Sequence, residues 1–339
     1  MLAILPANAR QLPDVEAIDR AVRVQVDSGF SGVVLVAWKD SVLLHRAYAP
    51  PGEVLSRGDA FWIASMTKGF TAAAVLQLQE EGRLRVTDSI GRFFPDAPRD
   101  KSAITVHQLL THTSGLGGES TGDGIVERSR AVTQILAQDL IFPPGQGYKY
   151  GDDNYVLLAA IIEIASGKQW EDYERSRLIE RLHLRTVGFA CRPHGSAQTP
   201  VGRSARAQRQ GSPISRIACD WGHKGANGMF ATAPDLLRWS RALMVPGPLG
   251  SAGNGALGQP QIAVRREPPF EVSYGYGVRV YTLDGSVVEV MHSGSGDDDH
   301  TGVVRNLRSG VTIIVLSNAG RHGDTTWSSW IAQRLAIRQ

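Results

Sequence analysis

The sequence predicts an α+β fold: one antiparallel sheet built from both ends of the chain, flanked by helices as an α/β sandwich, with a mostly helical insertion between the two ends. Three observations predict it. Residues 31–48 read as a β-hairpin. Runs of alternating apolar and polar residues return after residue 274. Between them, apolar residues recur at helical spacing.

Taken in order, Val15, Ile18, Val22, Val24 and Val26 fall mostly on one helical face and predict a helix over 13–29. Residues 31–38 and 41–48 are rich in β-branched and aromatic side chains, with Lys39-Asp40 as their turn. A helix is expected to begin near Phe61 and to stop at Gly82, a residue type suited to helix termination. Residues 104–116 predict a short helix capped by Thr105 and ended by Gly115. Further helices are expected over 126–140, 150–166 and 170–182, then a polar loop over 190–220. Pro234 marks the first turn of a helix over 233–243. Strands follow at 274–283, 286–291, 302–306 and 311–317, turned at Asp284-Gly285 and Arg308-Ser309-Gly310, and a closing helix is expected over 325–337. The expected domains are a sandwich of residues 1–85 with 225–339 and a helical domain of 86–224.

Composition narrows the function classes. A chain of 339 residues, 42% hydrophobic and 20% charged, has the material for a large core in a soluble protein. Its net charge of +3 is scattered, with no basic cluster interleaved with aromatics, so nucleic acid is not an expected partner. No apolar run reaches membrane-spanning length, and residues 1–6 lack a basic leader, so a cytoplasmic protein is expected, with a removed signal peptide left open. Cys191 and Cys219 lack metal-ligand spacing, and two inert thiols are a plainer expectation than a disulfide. No cofactor is expected and no residue is assigned to a metal, and the sequence is silent on oligomeric state.

The chemistry centres on Ser65-Met66-Thr67-Lys68. Positions i and i+3 share a helical face, so the serine hydroxyl and the lysine amine can meet. A hydroxyl is a weak nucleophile until a base takes its proton, and burial among Phe61, Trp62, Ile63 and Phe70 is expected to lower the Lys68 pKa for that task. A serine and a lysine on an ordinary surface helix remain the alternative for this motif taken alone.

The wider context resembles the serine β-lactamase and penicillin-binding-protein superfamily, on the branch of class C β-lactamases, D,D-peptidases, D-aminopeptidases and β-lactamase-fold esterases. Ser65-x-x-Lys68 is similar to its nucleophile motif. Residues 84–95 followed by Ile104-Thr-Val-His-Gln-Leu-Leu-Thr-His-Thr-Ser-Gly-Leu116 resemble the signature after the nucleophile helix, and His292-Ser293-Gly294 stands where a third motif is expected. The second motif departs from the family: Tyr150-Gly151-Asp152 has Asp where Asn is usual, and an ionised carboxylate only accepts hydrogen bonds.

The resemblance implies a β-lactamase/transpeptidase-like fold and a set of roles. Ser65 is the nucleophile, Lys68 the base or its partner, and Tyr150 the proton relay. Asp152, His292, Gly294 and Ser295 are expected to bind substrate, with the backbone N–H groups of Ser65 and Ser295 as the oxyanion hole. His292 is expected to hydrogen-bond to Tyr150 or to the substrate; a buried strand histidine is the alternative. Tyr148, Tyr150 and Tyr155 are each also readable as core, and His107 and His112 as structural. Asp297, Asp298 and Asp299, with Asp152 and Asp153, are expected either to select a cationic substrate or to form a solvated acidic turn; metal binding is the weaker idea, since consecutive residues on an extended chain point to opposite faces. The implied function is a serine hydrolase acting through an acyl-enzyme on a small ester or amide, with a carboxylesterase first. A D-amino-acid peptidase, an amidase or a β-lactamase is the alternative within enzymes. A non-catalytic ligand-binding protein is the alternative of another class.

Overall fold

The two runs that read as a hairpin pair as one. β1 (Gly32–Trp38) and β2 (Ser41–Tyr48) are antiparallel, and β1 pairs on its other side with the late strand Val311–Ser317. Both ends of the chain therefore build one sheet, as the alternation at each end predicts. The computed structural model describes residues 13–190 and 219–319, apart from positions 40, 120, 245, 246, 248, 251–254, 297 and 298, together with 321, 322, 325 and 326.

Helix α1 (Val15–Asp27), N-capped by the Asp14 side chain, precedes the hairpin. A two-residue strand, β3 (Phe61–Trp62), and a tight 3-10 turn (Ala64–Met66) lead into α2 (Thr67–Glu80). The helical part comprises α3 (Val106–Leu110), α4 (Arg128–Leu136), α5 (Asp153–Ser166) and α6 (Trp170–Glu174), the last continuing into a wider turn over Arg175–Ile179. The strands β4 (Gly188–Phe189) and β5 (Met229–Ala231) join β3 in a small three-stranded sheet in the order β3-β5-β4. After α7 (Ala233–Ala242) come β6 (Ile262–Glu267), β7 (Phe270–Tyr274), β8 (Arg279–Leu283), β9 (Ser286–Ser295), β10 (His300–Asn306) and β11 (Val311–Ser317). The large sheet runs β2-β1-β11-β10-β9-β8-β7-β6, every neighbour antiparallel.

Period-two alternation puts each face of β1 into a different core. Val34 and Val36 pack with Ile18 and Val22 of α1 and with Ile313 and Val315 of β11. Burying Ile18 and Val22 stabilises the docking of α1 by about 1.5–3 kcal/mol each. Val33 and Leu35 face the larger core, which includes Phe70, Val75, Leu157, Ile161, Ile314 and Leu316. α2 is buried from Thr67 through Leu78, around its whole circumference. Helices apolar all round belong inside, so the residues at its start are held on a rigid central element.

Several expectations are corrected. Phe61-Trp62 is a strand, because their backbone pairs with Phe230 and Ala231. The helix over 104–116 ends at Leu110: His112 takes a left-handed φ of 57°. Its start is as expected, with Thr105 and Gln108 capping reciprocally. Tyr150 and Asp152 precede α5 rather than lying in it. β6 was not expected at all. Thr325 and Thr326 pair with Arg321 and His322 as strand, not helix, and the rest of the expected closing helix lies outside the described residues, as does 191–218 of the polar loop. Cys219 is disulfide-bonded, not a free thiol, and its partner is outside the described residues.

Candidate active site

Ser65 sits in the 3-10 turn and Lys68 in the first turn of α2. The residue before the serine, Ala64, holds a φ of 43°, a left-handed conformation costing about 1–3 kcal/mol outside glycine. Such strain persists where packing on both sides dictates it. Here β3 pins the preceding residues, and the Thr301 hydroxyl donates to the Ile63 carbonyl at 3.2 Å. Gly294 of β9 lies against that carbonyl: a Cβ at 294 would stand 2.0 Å from the Ile63 oxygen. Glycine at 294 thus lets the end of β9, with Ser295, close onto the turn that carries Ser65.

Lys68 is fully buried beneath the half-exposed Ser65. Its Nζ donates to Ser65 Oγ at 3.1 Å, to Asp152 Oδ1 at 2.6 Å and to the Ala226 carbonyl at 3.1 Å. An ammonium has three donors, and three acceptors take them. Burial alone pushes this amine down, as the sequence suggested. The Asp152 carboxylate, with a further contribution from Tyr150, outweighs burial and raises the Lys68 pKa instead. The carboxylate at 152 supplies a charge at contact distance, which an asparagine would not. Tyr150 stands alongside, its ring centroid 4.9 Å from Lys68 Nζ.

Asp152 points its carboxylate inward. One oxygen is on Lys68 and the other accepts Asn227 Nδ2 at 2.8 Å. Asn227 in turn is bonded to His223 Nδ1 at 2.7 Å, and its backbone carbonyl accepts Nε1–H of Trp62. Neither Asn227, His223 nor Trp62 carries a motif that sequence reasoning could seize. Their contacts join segments far apart in the chain.

His292 is buried in β9. Its Nδ1 donates to the Ser293 carbonyl at 2.7 Å and its Nε2 lies 3.4 Å from Tyr274 Oη. Neither of these partners is Tyr150. Burial, reinforced by the Arg279 and Lys68 charges, pushes its pKa down to about 3, so the ring is neutral at physiological pH. His107 bonds Tyr276 Oη at 2.8 Å, a structural contact. His112 is closer to the chemistry. Its ring packs 4.4 Å from Tyr150 and 4.9 Å from Tyr274, and Nδ1 accepts the Gly151 N–H at 3.3 Å. It is fully buried, and burial holds it well below the usual histidine range.

Of the five carboxylates expected to face a cationic substrate, two are engaged within the protein. Asp152 is occupied by Lys68 and Asn227. Asp153 is buried and accepts from the Thr121 hydroxyl at 2.6 Å and Gln138 Nε2 at 2.7 Å. Asp299 is buried, and Asp297 and Asp298 lie outside the described residues. Among the described residues, Asp123, Asp220 and His223 bring one ligand atom each within 4.8 Å of one another. Both Asp220 oxygens already accept backbone N–H bonds, from Gly124 at 2.8 Å and Gly222 at 3.1 Å, which ties two loops together. No helix among the described residues is long and apolar enough to cross a membrane.

The arrangement is similar to known proteins over nearly its whole length. The putative penicillin-binding protein PbpX of Bacillus subtilis is 26% identical over 314 residues, covering 89% of this chain and 74% of that protein. A D-stereospecific amidohydrolase from Streptomyces superposes with a TM-score of 0.78 at 23% identity, covering 96% of this chain and 100% of that one. An octameric penicillin-binding protein homologue from Pyrococcus abyssi also gives 0.78, at 22% identity, over 96% of this chain and 78% of that one. The two superpositions show the fold. The family model described as Beta-lactamase matches residues 18–335, and the chain belongs to that family.

Proposed function

We propose that this family member is a serine hydrolase that works through an acyl-enzyme on a small carboxylic ester. The observation that carries the reading is the 3.1 Å hydrogen bond from buried Lys68 to the half-exposed Ser65 hydroxyl, with Tyr150 beside the same ammonium. Ser65 Oγ attacks the substrate carbonyl. Lys68, already holding three acceptors, serves as a fixed cation rather than as the first proton acceptor. Tyr150 gives its hydroxyl proton to the leaving group as it takes the serine proton, and in deacylation it takes a proton from water as it returns its own to Ser65 Oγ. The backbone N–H groups of Ser65 and Ser295 receive the oxyanion. His292 and Gly294 shape that wall. Asp152 acts on Lys68 instead of on substrate.

The ester preference follows from the carboxylates. Asp152 and Asp153 are both engaged within the protein, which removes two of the groups expected to attract an amine-bearing substrate. A second reading, hydrolysis of D-aminoacyl amides, is favoured by the Streptomyces amidohydrolase among the similar structures. Turnover of p-nitrophenyl esters, D-aminoacyl p-nitroanilides and nitrocefin, measured side by side, separates the two. Ester turnover well above the others is expected, and anilide turnover without ester turnover would replace the first reading by the second.

A further inference from the structure

Asn227 has a place in this site that the serine, lysine and tyrosine do not explain. Its contacts have one polarity, set by the chemistry of each group. The Asp152 carboxylate only accepts, so the amide nitrogen of Asn227 faces it, at 2.8 Å. The amide oxygen then faces His223, whose Nδ1 must carry a proton to donate across 2.7 Å. Lys68 donates to the other Asp152 oxygen, at 2.6 Å, and to Ser65 Oγ, at 3.1 Å. A row of hydrogen bonds thus runs from His223 through Asn227 and Asp152 to Lys68 and Ser65, each link with a donor and an acceptor. Two backbone contacts fix Asn227 itself. Its carbonyl accepts from Trp62, in the strand just before Ser65, and the preceding residue, Ala226, gives its carbonyl to Lys68.

The residue type at 152 makes this partner necessary. Once Lys68 has taken one carboxylate oxygen, the other lies in a part-buried setting and needs a donor of its own. An asparagine at 152 would instead present an amide nitrogen, and Asn227 would have to turn its amide over and His223 change tautomer to meet it. We propose that Asn227 is a positioning residue matched to Asp152: it holds the carboxylate in the rotamer that keeps Lys68 on Ser65. The inference rests on the hydrolase reading above.

The test is a swap, with kcat and KM as readouts for whichever of a p-nitrophenyl ester and a D-aminoacyl p-nitroanilide the wild type turns over. Asn227→Asp sets two carboxylates against each other and is expected to lower kcat about tenfold or more with little change in KM. Asp152→Asn removes the carboxylate from Lys68 and makes Asn227 turn its amide over, and it is expected to lower kcat as well. The double variant restores one donor and one acceptor with reversed polarity, and its kcat is expected to exceed that of both single variants. Asn227→Ala, which adds no charge, is expected to lose kcat about tenfold and covers the case in which Asn227→Asp does not fold. If the wild type turns over either substrate while kcat of the Asn227 variants is unchanged, or if the double variant is no better than the singles, the inference is overturned and the hydrolase reading stands. If the wild type turns over no ester and no amide, both fall together.

Discussion

The Lys68 ammonium lies nearer to Asp152 Oδ1, at 2.6 Å, than to Ser65 Oγ, at 3.1 Å. Lys68 is therefore one half of an ion pair whose other half is the Asp152 carboxylate.

That pair makes a prediction about alkaline stability. The folded-state pKa of Lys68 is raised, so its contribution is complete below the unfolded value of about 10.4 and is lost as pH rises through the folded value. Asp152→Asn leaves burial opposed mainly by Tyr150, so the loss begins at lower pH. At pH 7 the variant is expected to be destabilised by about 3 kcal/mol, as for a buried charge left without its partner. Thermal melting between pH 8 and 11 checks this, and superimposable profiles would contradict it.

His292 predicts the opposite limb. Its folded pKa of about 3 lies below the unfolded value, so between about 6.5 and 3 the unfolded chain binds a proton that the folded one does not. Stability drops as pH falls through that window, by up to about 1.4 kcal/mol per pH unit from this group. His292→Gln is expected to flatten the acid limb of a denaturant-unfolding series at pH 4–7.

Gly294→Ala is expected to damage both stability and activity. The added Cβ would stand 2.0 Å from the Ile63 carbonyl and 2.7 Å from Thr301 Oγ1, so backbone must move. Overpacking of this kind costs about 1–3 kcal/mol. The displaced turn carries Ser65, and kcat is expected to fall about a hundredfold, as for a reacting group misplaced by about 1 Å. A lowered melting temperature together with the kcat loss is the expected pair of results.

Glu174, at the end of α6, is fully buried. Burial pushes its pKa well above the usual carboxylate range, although the Trp170 Nε1–H, at 3.0 Å, opposes this. The sign is that of a raised acid: its favourable share is present below the unfolded value of about 4.3 and is lost as pH rises. Glu174→Gln keeps an acceptor for Trp170 without the titration. It is expected to raise the melting temperature at pH 7–8 and to change it little at pH 4.

Much of this was legible in the sequence because its signals are local. β2 and β11 match their expected bounds, since alternation and flanking turns define a strand within its own residues. β6 escaped because Ile262, Ala263 and Val264 run into two arginines at the sheet edge, where half the residues face solvent and the apolar pattern is weak. Phe61-Trp62 has a composition that suits helix or strand, and only its distant partners Phe230 and Ala231 decide. Ser65 and Lys68 share one turn, so their meeting follows from spacing. The Lys68 pKa did not follow, because its direction depends on Asp152, brought in by tertiary packing. Asn227 and His223 have no spacing to betray them; their place near the nucleophile is a product of the fold.

The central claim is that Ser65 is an activated nucleophile. Intact-mass spectrometry after incubation with a fluorophosphonate, on the wild type and on Ser65→Ala, tests it most directly. One adduct on the wild type and none on the variant is the predicted result, with ester turnover in the variant reduced at least about a thousandfold. An unlabelled wild type, or equal labelling of both proteins, would contradict the account and favour a protein of this fold that binds without turnover.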